Sequence, residues 1–223
     1  MTVSRIHAFP TYRIIPTRVS FIDIFERVAD PADWDALFKI EALTNERLRE
    51  NGYGLSIIPI TDRYTGPNAS YIMGAFVHPT SEGSRFSDGT YGVYYAGLEK
   101  DTAIAETKFH KSRWMAFTIQ TPMDLDMLVI LADLDCDLDD IRGKREQRPD
   151  LYNHEPEQYG AAQAFAKTRR DQGSNGIVYD SVRREGGECC AVFVPKLLMN
   201  CRPAENLIYR WDGESIVSVY EER

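Results

Sequence analysis

The chain has 223 residues, 43% of them apolar and 27% charged, with a formal net charge of −8. These values are those of one soluble globular domain, and the acidic balance argues against direct nucleic-acid binding, which calls for a basic face. No apolar run approaches the roughly 18 residues of a membrane span. Residues 1–13 show no apolar core before a small-residue cleavage site, so the expected compartment is the cytoplasm.

Residues 11–22 read as extended structure. Asp30-Pro31 supplies an N-cap and a first-turn proline for a helix to about Glu50, with Trp34, Leu37, Phe38 and Ala42 on one face and Gly52 as its stop. Residues 52–82, rich in Gly, Pro, Asn and Ser, read as loop and short strand. A strand follows at Val93–Ala96, then a helix from Asp101 or Thr102 through Glu106 to about Lys111. Residues 114–120 and 128–134 read as strands, and 135–149 as an exposed loop.

Glu155-Pro156-Glu157 opens another helix, closed by Gly173. Residues 176–181 and 189–194 read as strands, and 207–211 with 215–220 as a hairpin about Asp212-Gly213. Short strands with a few interspersed helices predict an α+β fold, not a doubly wound sheet.

Cys136, Cys189, Cys190 and Cys201 form no CxxC pair, and His7, His78, His110 and His154 are scattered. No metal site is expected, and the cysteines read as buried or free thiols. Cys189 and Cys190, adjacent on a strand, would point to opposite faces. Basic stretches at 142–148 and 167–170 are flanked by acids.

The residues with chemical potential concentrate between Arg85 and Glu106. Arg85 sits in a glycine-flanked loop, Gly83 to Gly89, and can bind phosphate oxygens in a bidentate manner; alone, it reads better as a surface ion pair. Tyr94 and Tyr95 on one strand face opposite ways, so at most one joins Arg85. Glu106 follows the apolar Ala103-Ile104-Ala105, with His110 one turn later on the same face. A carboxylate there can bond a ribose hydroxyl and stabilise positive charge at the anomeric carbon. Ser181 ends an apolar strand without a Gly-x-Ser-x-Gly elbow, and no Gly-x-Gly-x-x-Gly or Walker sequence occurs.

The order Arg85-Phe86, Val93-Tyr94-Tyr95-Ala96, Ala105-Glu106 and Gly176-Ile177-Val178-Tyr179-Asp180-Ser181-Val182-Arg183 resembles the RES domain, named for its arginine, glutamate and serine. Tyr12-Arg13 and the run from Gly186-Gly187 to Phe193 extend the resemblance over nearly the whole chain. It implies one RES-like domain over residues 1–223, with a helical insertion around 30–52, and an α+β fold like that of the ADP-ribosyltransferases. It also implies a toxin of a type II toxin–antitoxin pair that cleaves NAD with phosphate or water as acceptor, or transfers ADP-ribose to protein.

The partner so implied is a helix-turn-helix antitoxin of the Xre type. By the resemblance Arg85, Tyr94, Glu106 and Ser181 are catalytic, while Arg13, Tyr95 and His110 contact the substrate. Tyr94 matches the family's Tyr-x-Ala step, whereas Tyr95 stands at the more usual distance from the glutamate. Arg85-Phe86-Ser87 replaces the common Arg-Trp-Asn, and the segment between Arg13 and Arg85 is longer than in compact members. NAD is expected as substrate, with no further cofactor. A homo-oligomer is compatible with the composition, as is a module that binds nucleotide or antitoxin without chemistry.

Overall fold

The computed structural model describes residues 2–17, 34 and 55–222. Strands β1 (Thr2–Pro16), β2 (Tyr94–Gly97), β3 (Met123–Asp140), β4 (Gly176–Asp180), β5 (Glu188–Val192), β6 (Leu198–Trp211) and β7 (Ile216–Glu221) build one sheet. Helices α1 (Ala69–Val77), α2 (Lys100–Phe117) and α3 (Gly160–Asp171) pack against it. The fold is α+β. Residues 18–22 of the first predicted strand and nearly all of the predicted helix at 31–50 lie outside the described residues; Trp34, helical and buried, is the exception.

The strand order is β1-β2-β5-β4-β3-β6-β7, and β1 also pairs with β3. Five strands therefore close a ring, and β6–β7 extends from β3. Every pairing is antiparallel except β3–β4. The closure gives the sheet an inside and an outside, and alternation sends successive side chains to each. Inside lie Ile6, Tyr94, Ala132, Val178, Cys190 and Val192, with α1 packed on the same cluster. Outside β4 and β5 lie Ile177, Tyr179, Cys189 and Ala191. Outside β1, β3 and β6 lie Ile14, Val129 and Tyr209, covered by Ala103 and Met115 of α2.

Four stretches differ from the sequence reading. The region 52–82 is not loop and strand throughout, because Ala69 to Val77 wind as α1. Burial of Ile72, Met73, Phe76 and Val77 outweighs the Gly and Asn signals around them. Residues 114–117 are helix rather than strand, since α2 continues to Phe117 with Met115 fully buried beneath it. Residues 135–140 belong to β3 rather than to a loop. Cys136 and Leu138 point inside, while Asp135 accepts from Arg5 Nε (2.7 Å) and Asp139 from Arg169 Nε and Nη2 (both 2.8 Å). Finally, β6 starts at Leu198, well before the predicted Leu207.

The predicted hairpin forms between β6 and β7. Asp212 Oδ1 accepts the N–H groups of Glu214 and Ser215 (2.8 Å each), and Gly213 takes φ +107°, open to glycine and strained for other residues. The four cysteines are buried free thiols, with Cys190 facing inside and Cys189 outside. No helix among the described residues is long and apolar enough to cross a membrane.

Candidate active site on the outer face of the ring

The outer face of β2, β5 and β4 gathers chemistry because α2 begins directly on it. Gly97, the last residue of β2, lies so close to the first turn of α2 that a Cβ there would stand 2.7 Å from both Ala103 N and Glu99 O. Leu98 N donates to Glu188 O (2.9 Å), and Arg184 Nη1 donates to Thr102 Oγ1 (3.0 Å). The start of the helix is thus tied to β5 and to the loop after β4. One turn further on, this brings Glu106 over the end of β4.

Glu106 Oε1 accepts the hydroxyl of Ser181 at 2.6 Å. The direction of that bond is set by the serine's other partners. Ser181 Oγ also accepts the backbone N–H groups of Arg183 and Arg184 (3.0 Å each), so its acceptor positions are filled and its proton is left for the carboxylate. Ser181 is buried, and its backbone is fixed by Gly187 O (2.8 Å) and Arg145 Nη2 (2.8 Å). Cys189 Sγ lies 4.0 Å from the same carboxylate oxygen. The second oxygen of Glu106 has no hydrogen bond among the described residues. A carboxylate with one oxygen anchored and one free is oriented to receive a hydroxyl from a ligand.

Arg85 is buried in the loop before β2. Its Nη1 donates to Leu151 O (3.1 Å), its Nη2 to Tyr159 OH (3.1 Å), and its guanidinium lies 4.4 Å from the Tyr159 ring centre. No carboxylate pairs with it among the described residues. A buried cation without a counter-ion is costly, and an anionic ligand would supply one. Tyr95 connects this loop to β2, its hydroxyl meeting Ser84 Oγ (2.8 Å) and accepting from Phe86 N (2.9 Å). Burial pushes the Tyr95 phenol up to about 12, with its hydrogen bonds and Arg85 acting against that.

His110 keeps solvent contact beside this group. Desolvation, followed by the fields of Arg183, Arg85, Arg113 and Lys111, pushes its pKa down to about 4. It is therefore a neutral imidazole at pH 7, in a field that favours anions. Arg183, two residues after Ser181, stacks over the Phe109 ring (3.3 Å to its centre) and donates to the His154 carbonyl.

Of the residues singled out in the sequence, Arg85, Tyr95, Glu106, His110 and Ser181 are brought to one side of the sheet. Tyr94 and Arg13 are not among them. Tyr94 is fully buried inside the ring, and among the described residues its hydroxyl has no hydrogen-bond partner; Thr11 stands beside it, but the Thr11 hydroxyl donates to Ala132 O (2.7 Å). Arg13 lies with Tyr94, its guanidinium 5.1 Å from the ring centre, and donates to Tyr95 O (3.1 Å). Burial lowers its pKa, and its Nε has no partner among the described residues.

A pair of variants separates the two tyrosines. Tyr94→Phe removes a buried hydroxyl that bonds nothing among the described residues and should leave the melting temperature unchanged or raised. Tyr95→Phe strips the Phe86 N–H of its acceptor and frees the Arg85 loop, costing about 1–3 kcal/mol by urea denaturation.

The sequence reading missed Tyr159, which holds Arg85, and Tyr179 and Cys189, which floor the face below Glu106. Tyr179 was within reach, since it precedes Ser181 by two on β4 and shares its side. Tyr159 had no local signal. Among the described residues no three His, Cys, Asp or Glu side chains gather as a metal site would. A depression lined by Ile208, Tyr220, Glu221 and Glu222 lies apart on β6–β7, and its carboxylates do not suit an anionic ligand.

The family profile of the RES domain matches residues 62–212, a span that contains Arg85, Glu106 and Ser181. The chain belongs to the RES domain family. It is also similar to the uncharacterized protein y4oC of Sinorhizobium fredii (strain NBRC 101917 / NGR234), with 25% identity over 213 residues, which cover 94% of this chain and 86% of that protein. In this RES domain Ser181 and Glu106 touch, whereas Arg85 is held separately by Tyr159 and Leu151.

Proposed function

We propose that this RES domain cleaves NAD at the bond between nicotinamide and ribose, as the toxin of a toxin–antitoxin pair in the cytoplasm, with an Xre-type antitoxin as partner. The observation that carries this reading is the Glu106–Ser181 pair, which among the described residues leaves one carboxylate oxygen free on the same face as Arg85, a cation with no acidic partner there. Arg85 takes a pyrophosphate oxygen, using guanidinium donors that Leu151 and Tyr159 leave over. Glu106 accepts a hydroxyl of the nicotinamide ribose.

As the glycosidic bond breaks, its electron pair leaves with nicotinamide and positive charge builds at the anomeric carbon and ring oxygen. The fixed negative charge of Glu106 is worth most at that moment. Nicotinamide departs from a pyridinium, so no proton has to be donated to it. Phosphate, or water that releases a proton to solvent, then bonds to the anomeric carbon, and the cationic surroundings of His110 favour an anionic acceptor. The face that holds Tyr95 supports this tyrosine, rather than Tyr94, as the aromatic beside the nicotinamide.

The test uses NAD labelled in its adenine ring, incubated with the protein with and without phosphate. Label recovered as ADP-ribose 1-phosphate or ADP-ribose supports the proposal. Label fixed on protein would replace it with ADP-ribosyl transfer, and intact NAD after hours would overturn both.

A further inference from the structure

Helix α2 ends in a motif whose residues do not suit it. The N–H of Gln120 bonds Met115 O (3.1 Å) and the N–H of Ile119 bonds Ala116 O (3.2 Å), the paired bonds of a helix stop that turns through a left-handed residue. Glycine is the usual occupant of that position, whereas here it is Ile119 with φ +52°. A β-branched residue in that conformation is strained. The strain gains no packing among the described residues, because Ile119 is 89% exposed.

Two more apolar side chains stand on the same end of the helix. Phe117 is 85% exposed and Trp114 55%. They lie three residues apart and so neighbour one another on the helix surface. Lys111, three residues before Trp114, lies over the indole (5.7 Å to its centre). Among the described residues it has no acidic partner, and desolvation lowers its pKa. Arg113, by contrast, is paired with Glu155 and Glu157.

We infer that Trp114, Phe117 and Ile119, with Lys111 at their edge, form a docking surface for an apolar protein segment that carries a carboxylate. Three exposed apolar side chains, one held at a cost in backbone strain, match a surface completed by burial. The unpaired cation selects an acidic segment over a basic one and disfavours a second copy of the same patch, which would bring lysine to lysine. Glu106 and Phe117 are eleven residues apart, about 16 Å along the axis and within one sector of the helix. A segment seated here therefore reaches towards the candidate site past His110. The inference stands independently of the reaction proposed for that site.

The test uses fluorescence anisotropy with two synthetic amphipathic peptides of the same leucine pattern, one with glutamate and one with lysine on the polar face. The glutamate peptide should bind at least about tenfold more tightly than the lysine peptide, and Phe117→Ser should weaken it about tenfold. Lys111→Glu should reverse the preference between the peptides. Ile119→Gly should raise the melting temperature of the free protein by about 2–4 °C while weakening the peptide complex.

Equal or absent binding of the two peptides would overturn the inference, as would a lower melting temperature for Ile119→Gly. So would self-association in sedimentation velocity that Phe117→Ser abolishes, or binding to phosphatidylcholine or phosphatidylglycerol vesicles that the glutamate peptide cannot displace.

Discussion

Replacing Glu106 with glutamine should slow nicotinamide release from NAD by about 10²- to 10³-fold, the range seen when one electrostatic group is removed from a transition state. Glutamine matches the shape of glutamate, and its carbonyl oxygen can still accept the Ser181 hydroxyl, so the loop after β4 and the start of α2 keep their connection. What disappears is the negative charge opposite the developing cation. The loss should therefore fall on kcat, with KM for NAD changing little. Unchanged thermal melting would locate the effect in the chemistry rather than in folding. Glu106→Asp is the companion variant: it keeps the charge but withdraws it by one methylene, and it should fall between glutamine and wild type.

The second large effect is expected at Arg85 and should fall on binding. Arg85→Lys keeps one positive charge but loses the planar fork that reaches Leu151 O, Tyr159 OH and a phosphate together. Hydrogen bonds to charged groups are worth about 1.5–3 kcal/mol each, so KM for NAD should rise about 10- to 100-fold. Arg85→Ala should add a loss of stability of about 1–3 kcal/mol, because the buried Leu151 carbonyl and Tyr159 hydroxyl lose a donor. Steady-state kinetics on the lysine variant and urea denaturation of the alanine variant separate the two contributions. Equal damage to KM from Tyr94→Phe would contradict the placement of Tyr94 away from the ligand.

Much of this site could be read from the order of residues, because its members sit on short elements with local signals. The helix after Gly97 announces itself through Asp101 and Thr102, and it carries Glu106 and His110 as one face. The strand from Gly176 delivers Ser181 two residues after Tyr179, on the same side. The choice between Tyr94 and Tyr95 lay beyond local reading, because both sides of β2 are covered. Alternation separates the two rings but does not say which side faces the ring's interior.

The errors have the same physical origin. The acids of 135–140 look like loop until Arg5 and Arg169 arrive from distant parts of the chain to neutralise them. Trp114 and Phe117 look like strand residues, yet the buried side chain that decides the matter is Met115, beneath the helix. α1 is hidden among Gly, Pro and Asn because its stability comes from the interior of a ring that only closure creates.

The most direct test of the central claim is a time course of nicotinamide release by the wild-type protein and Glu106→Gln, with NAD and phosphate present. The account predicts steady release by the wild type, with one ADP-ribosyl product per nicotinamide, and at least about 100-fold slower release by the variant. Equal rates for the two proteins, or NAD left intact by the wild type, would contradict it.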